Sequence, residues 1–165
     1  MTAKLGSAAT AKALARMTGP TGISAGLAAL TEADGGSTVA LSAAQSRAQN
    51  VAADLAERAG SAQYPAVNIY CQRLVNDLKE KFRRFSGNAV MAVEVRHSQD
   101  RLEGLEAGLQ LYVDSVAQVL DGSRGDWGDG MFYGGGYEVA FGAVKHGGRN
   151  FLQSATVTFA VEISK

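Results

Sequence analysis

The clearest periodic signal in the chain runs from Ser98 to Gly122. Leu102, Leu105, Leu109, Tyr112, Val113, Val116 and Val119 or Leu120 recur at the i, i+3, i+4, i+7 spacing of an amphipathic helix. Ser98 suits an N-cap, Asp100 falls in the first turn, and Gly122 stands where a C-terminal glycine belongs. Strand patterns flank it. Across Ala89–His97, Met91, Val93 and Val95 alternate with Glu94 and Arg96. Earlier, "YPAVNIYCQRL" (Tyr64–Leu74) is a second β-like run, with Pro65 at its mouth where a missing N–H does little harm. After the helix, Tyr137, Val139, Phe141 and Ala143 alternate with Glu138, Ala140 and Gly142. Beyond "KHGGRN" (Lys145–Asn150), Val157, Phe159, Val161 and Ile163 alternate with Thr156, Thr158 and Glu162. These two runs read as a hairpin with a longer loop. The order predicts an α+β fold: a small antiparallel sheet, β-β-α-β-β, with one long amphipathic helix packed across a face. Leu105, Leu109, Tyr112 and Val116 should then meet Val93, Val139 and Val157 or Phe159.

The first 63 residues have a different texture. They are rich in Ala, Gly, Ser and Thr and contain no aromatic residue, whereas every Tyr, Phe and Trp lies from Tyr64 onward. Large side chains dominate core energetics, so residues 64–165 are expected to form the body and residues 1–63 a helical and extended arm. Alanine content favours a helix over Ala3–Met17, with apolar contacts available at Leu5, Ala9, Ala13 and Met17. "TGPTG" (Thr18–Gly22) breaks it. A second helix over Ile23–Glu32 should end at Asp34–Gly36. Ser37–Gly60 is ambiguous between helix and strap, with extended backbone expected at Val39–Leu41.

Composition narrows the function classes. At 165 residues and 46% apolar content the chain suits one domain. Sixteen basic residues balance sixteen acidic ones, so no net field draws it to nucleic acid or an anionic membrane. The single cysteine, Cys71, excludes an internal disulfide framework. No apolar run is long enough to span a bilayer, and the N-terminal residues lack the core of a secretory signal. A soluble intracellular product is expected.

Candidate chemistry centres on two stretches. "RGDWGDGMFYGGGYEVAF" (Arg124–Phe141) lacks the third glycine of a dinucleotide fingerprint, and it follows a helix instead of opening one. Asp126 and Asp129 are too few oxygen ligands for a calcium loop. Glycine for unusual backbone, beside Trp127, Met131, Phe132 and Tyr133, better fits a surface that meets another protein or subunit. "KEKFRRFSG" (Lys79–Gly87) interleaves Phe82 and Phe85 with Lys79, Lys81, Arg83 and Arg84. That mixture serves nucleic-acid stacking, or a partner-binding edge with its phenylalanines buried. His97 and His146 have no neighbours at metal-ligand spacing. A Cys71–His97 nucleophile pair stays open, though no catalytic signature accompanies it.

The phrases "YPAVNIYCQRLVNDLKEKFRRFSG", "VEVRHSQDRLEGLE…LQLYVDSVAQVLD", "RGDWGDGMFYGGGYEVAFGAVKHGGRNF" and "QSATVTFAV" resemble structural proteins of the head–tail module of long-tailed bacteriophages, nearest to the tail terminator, or tail-completion, proteins of the neck. The resemblance covers roughly residues 45–165. It implies a small antiparallel sheet with flanking helices and a six-subunit ring that caps the tail tube. The partners would be further copies of the chain, the tube protein and a neck, head-closure or connector protein, with genomic DNA passing transiently through the lumen. It implies no catalysis, no cofactor, no metal and no membrane, and a place in the virion after assembly in the host cytoplasm. Phe82, Arg83, Arg84, Phe85, Trp127, Met131, Phe132 and Tyr133 become the expected subunit or partner interface, with Phe82 and Phe85 anchoring the basic segment. Another head–tail connector or head-closure ring protein is the alternative within phage biology. A nucleic-acid-binding protein using Lys79–Arg84 is the remote one.

Overall fold

The computed structural model describes residues 4–35, 40–60, 62–147 and 149–165. Along these the chain forms α1 (Leu5–Thr18), α2 (Ile23–Asp34), a 3-10 turn (Ala43–Gln45), β1 (Ser46–Arg47), α3 (Ala53–Arg58), β2 (Ala66–Asn76), β3 (Ser86–Gln99), α4 (Leu105–Gly122), β4 (Gly125–Gly128), β5 (Met131–Tyr133), β6 (Glu138–Phe141), β7 (Lys145–Gly147) and β8 (Asn150–Ser164). The fold is α+β. One sheet runs β1-β2-β3-β8-β5-β4, with β6 and β7 also pairing β8. Its spine is the antiparallel pair β3–β8, in register from Ser86↔Ser164 to Gln99↔Phe151. Because side chains alternate across a strand, Met91, Val93 and Val95 point the same way as Val157, Phe159 and Val161, and all six are buried.

Helix α4 covers that face with Leu105, Leu109, Tyr112 and Val116, all at 1% exposure or less. Its phase is as the spacing predicts, but its start is not. β3 continues through Ser98, which pairs with Leu152, and the helix begins only after Gly104, which caps it in a left-handed conformation. Leu102 therefore lies outside the helix and is exposed. The pairing partners offered by β8 outweigh local capping preference at Ser98.

The expected arm is part of the body. Leu5, Ala9, Ala13 and Met17 of α1, with Ile23 and Leu27 of α2, belong to the same buried cluster as the sheet and α4. Four of the five buried α1 positions are the i, i+4 series legible in the sequence, Thr10 being the fifth, and the small side chains of Ala9 and Ala13 let the helix lie close on the strands. In the ambiguous segment, Ala53–Arg58 is a short helix, while Ser46–Arg47 adds a parallel strand beside Val67 and Asn68. The extended expectation at Val39–Leu41 falls partly outside the described residues.

The hairpin expected after α4 is present, β6 and β7 pairing antiparallel with β8, and a further hairpin, β4–β5, precedes it. β8 spans 15 residues, and three short strands lie along its far side at successive heights: β7 at Asn150–Leu152, β6 at Ala155–Thr158, β5 at Glu162–Ile163. No helix among the described residues is long and apolar enough to cross a membrane.

Candidate partner-binding end of the sheet

Three segments converge where β8 ends. The first is the β2–β3 connection, residues 77–85. Asn76 ties it together: its Oδ1 accepts from the Ser86 N–H at 3.0 Å and the Leu78 N–H at 3.4 Å, while its Nδ2 donates to the Arg84 carbonyl at 3.2 Å. Reciprocal backbone bonds of 2.7 Å between Phe85 and Lys165 extend the sheet past its strands. Ser164 Oγ donates to Glu80 at 2.9 Å, and Arg83 reaches the same carboxylate at 3.4 Å. Held this way, the loop puts two non-glycine residues in the left-handed region, Leu78 at φ 50° and Phe82 at φ 67°. Such conformations cost of order 1–3 kcal/mol and persist only where the surroundings enforce them.

The consequence is an unusual display. Phe82 is fully exposed and Leu78 is 61% exposed, with Lys81 and Arg84 exposed beside them. Of the two phenylalanines expected as anchors, only Phe85 serves, packing against the core from a half-buried position. Phe82 faces solvent.

The second segment is the β4–β5 hairpin. Asp129 (φ 55°) and Gly130 (φ 71°) form its tip, the backbone of the tight turn that Asn-Gly and Asp-Gly pairs favour. The Asp129–Gly130 pair is the sequence signal for this turn. Asp126 Oδ1 accepts from the Gly128 N–H at 2.7 Å. Helix α1 clamps the turn: Lys12 Nζ donates to the Trp127 carbonyl at 2.8 Å and pairs with Asp129 at 2.9 Å. That pairing holds the Asp129 carboxyl below its ordinary range. One helical turn further, the Arg16 guanidinium sits 4.2 Å from the Trp127 ring centre.

The hairpin takes three of the eight expected interface residues out of the surface. Trp127, Met131 and Tyr133 are at most 5% exposed and belong to this chain's own core. Trp127 and Tyr133 meet each other at 5.6 Å and both meet Phe159, while the Trp127 indole N–H donates to the Ser123 carbonyl at 2.7 Å. Period-2 alternation turns Phe132 the other way, 48% exposed.

The third segment is the end of β8. Together they line a shallow pocket of about 210 Å³ bounded by Lys79, Glu80, Gly130, Phe132, Glu162 and Ser164. Phe82, Arg83 and Arg84, far from Phe132 in sequence, thus share one end of the molecule with it. Trp127, Met131 and Tyr133 do not take part.

Elsewhere the geometry separates what the sequence left open. Cys71 pairs with Met91, six residues along β3 from His97, a separation of about 20 Å at strand rise. Burial raises the Cys71 thiol and lowers His97, and at that separation the two do not form a pair. His97 packs on Tyr112 at 5.3 Å, and its Nε2 fills the space a Cβ at Gly108 would occupy. Among the described residues no group of three or more His, Cys, Asp or Glu is gathered in a way that could hold a metal ion. A wider groove of about 720 Å³ runs between α1 and β2 past Cys71, Tyr70 and Leu74. The chain matches no protein-family model and no curated protein.

Proposed function

We propose that the protein is a virion structural component that forms a ring at the end of a phage tail tube and joins it to the head or neck. The observation that carries this is the sheet end just described: a tightly tied loop that holds Phe82 and Leu78 in solvent beside Lys81, Arg84 and Phe132. Ordered exposure of large apolar groups among charges is the mark of a protein-binding surface. We take β2, β3, α4, β6 and β8 as the β-β-α-β-β unit of the tail-terminator resemblance, with the β4–β5 hairpin, β7 and the two N-terminal helices as additions. In this role the chain works by shape and contact, without catalysis or cofactor. Its partners are further copies, the tube protein and a neck or connector protein, with DNA passing through.

Mass spectrometry and reconstruction of purified particles test the reading. The expected result is a cyclic, six-fold assembly of this chain between head and tail. Density on the portal side would assign it to a connector instead. Absence of the chain from purified particles would end the proposal.

A further inference from the structure

We infer that a single monatomic anion of the chloride class binds on the face of the sheet away from α4 and fastens residues 43–64 to it. The inference goes beyond the ring reading and does not depend on it.

Residues 43–64 lie across that face as a strap. Its helix, α3, has no buried residue, so polar contacts carry the attachment. Gln45 Nε2 donates to the Pro65 carbonyl at 2.8 Å, and Gln49 Nε2 to Asn68 Oδ1 at 2.8 Å. The Tyr64 hydroxyl donates to Glu57 at 2.7 Å, and from the sheet Arg96 donates Nη2 to the Val51 carbonyl. Asn68 and Arg96 share this face because side chains alternate along β2 and β3, with Ala66 paired to Arg96. Both are at most 3% exposed.

Between strap and sheet lies a cavity of about 20 Å³, room for one water-sized group. Asn68 lines it, and its Nδ2 is buried with no hydrogen-bond partner among the described residues. A buried donor left unmet bears its full desolvation cost. The rest of the lining decides what meets it. Arg47, Arg96, Gln45, Gln49 and Tyr64 surround the cavity, and among the described residues no Asp or Glu does. Glu94 balances Arg96 at 3.0 Å, whereas Arg47 enters no ion pair among the described residues. Several acceptors nearby are already engaged. Asn68 Oδ1 and the Pro65 carbonyl are taken as above, the Ala44 carbonyl accepts from Arg47 Nε at 2.8 Å, and Gln45 Oε1 accepts from the Ser42 N–H at 2.8 Å. What remains is mainly donors beside an unbalanced positive charge. A water would bring two hydrogens to a place short of acceptors, while an anion accepts from every side. The volume admits a single atom and leaves no room for a phosphate or a sulfate. Such an ion would touch the sheet and both arms of the strap at once.

The test uses the full chain. Crystals soaked in sodium bromide are expected to show an anomalous peak in the cavity, within hydrogen-bond distance of Asn68 Nδ2. In solution, tryptic cleavage at exposed Arg58 is followed as gluconate is exchanged for chloride at fixed ionic strength, with the exposed basic residues of the 77–85 loop as internal reference. Cleavage in the strap should slow in proportion to 1 + [chloride]/Kd, about tenfold once chloride stands about tenfold above Kd. Asn68→Asp puts a carboxylate's own charge at the cavity, so its strap should be protected equally in both salts. A bromide peak with equal wild-type rates would mark an adventitious ion only and overturn the inference. So would a water in the cavity in place of bromide, or a chloride dependence that survives in Asn68→Asp. If that variant does not fold, the two wild-type measurements still decide.

Discussion

Leu109 has no exposed surface and sits in the cluster that joins α4 to the sheet. Truncating a fully buried leucine removes its transfer free energy and leaves a cavity, so Leu109→Ala should cost about 2–5 kcal/mol in chemical denaturation. His97 gives a second reading at this scale. It lies against Tyr112 with Nδ1 unpartnered, and burial lowers its pKa from the ordinary 6.5. A depressed histidine takes up its proton more readily in the unfolded chain than in the folded one. Its effect is therefore absent above about pH 6.5 and becomes destabilising as pH falls through that value toward the lowered folded pKa. The melting temperature should drop as pH falls from 7 to 5, and His97→Phe should flatten the slope. An unchanged slope would mean the imidazole is solvated.

At the scale of elements, the β4–β5 hairpin depends on its tip. Gly130 has φ 71°, and a Cβ there would also run into the Ser164 carbonyl. Gly130→Ala should therefore destabilise by more than about 1 kcal/mol, measurable as a shifted urea midpoint with unchanged slope. The clamp from α1 adds a charge-dependent part. Lys12 lowers the Asp129 pKa from its ordinary 3.8, so the contribution is present above that value and lost as pH falls through the lowered one. Asp129→Asn should remove this acid-side dependence while keeping a residue that tolerates left-handed backbone. Retention of the full acid slope in that variant would place its origin elsewhere.

For the whole molecule, the decisive surface is the sheet end with Phe82, Arg83, Arg84 and Phe132. On the proposed ring role, Arg83→Ala with Arg84→Ala is expected to reduce joining of heads to tails, seen as separate heads and tails in micrographs, with little change in DNA affinity. Normal particles with slowed ejection alone would instead place these arginines in the channel. A steep salt dependence of DNA binding, lost in the same double variant, would favour the nucleic-acid reading.

The sequence alone determined much of the scaffold. A 3.6-residue period phased α4, an i, i+4 series of Leu5, Ala9, Ala13 and Met17 marked the buried stripe of α1, and period-2 alternation marked β3 and β8. These are local patterns, set by backbone geometry and written within a few residues. What the tertiary structure decided was which surfaces find partners. The aromatic residues of the glycine-rich stretch divide between core and solvent because an Asp-Gly turn sets the phase of Met131, Phe132 and Tyr133 against β8. Phe82 is exposed because Asn76, Ser86 and Lys165 fix its loop. Residues 1–63 carry no aromatic signature of a core, yet α1 and α2 complete it because the strands and α4 leave a space of the right size. Burial is a relation between distant segments, and a single chain of letters carries only one side of it at each position.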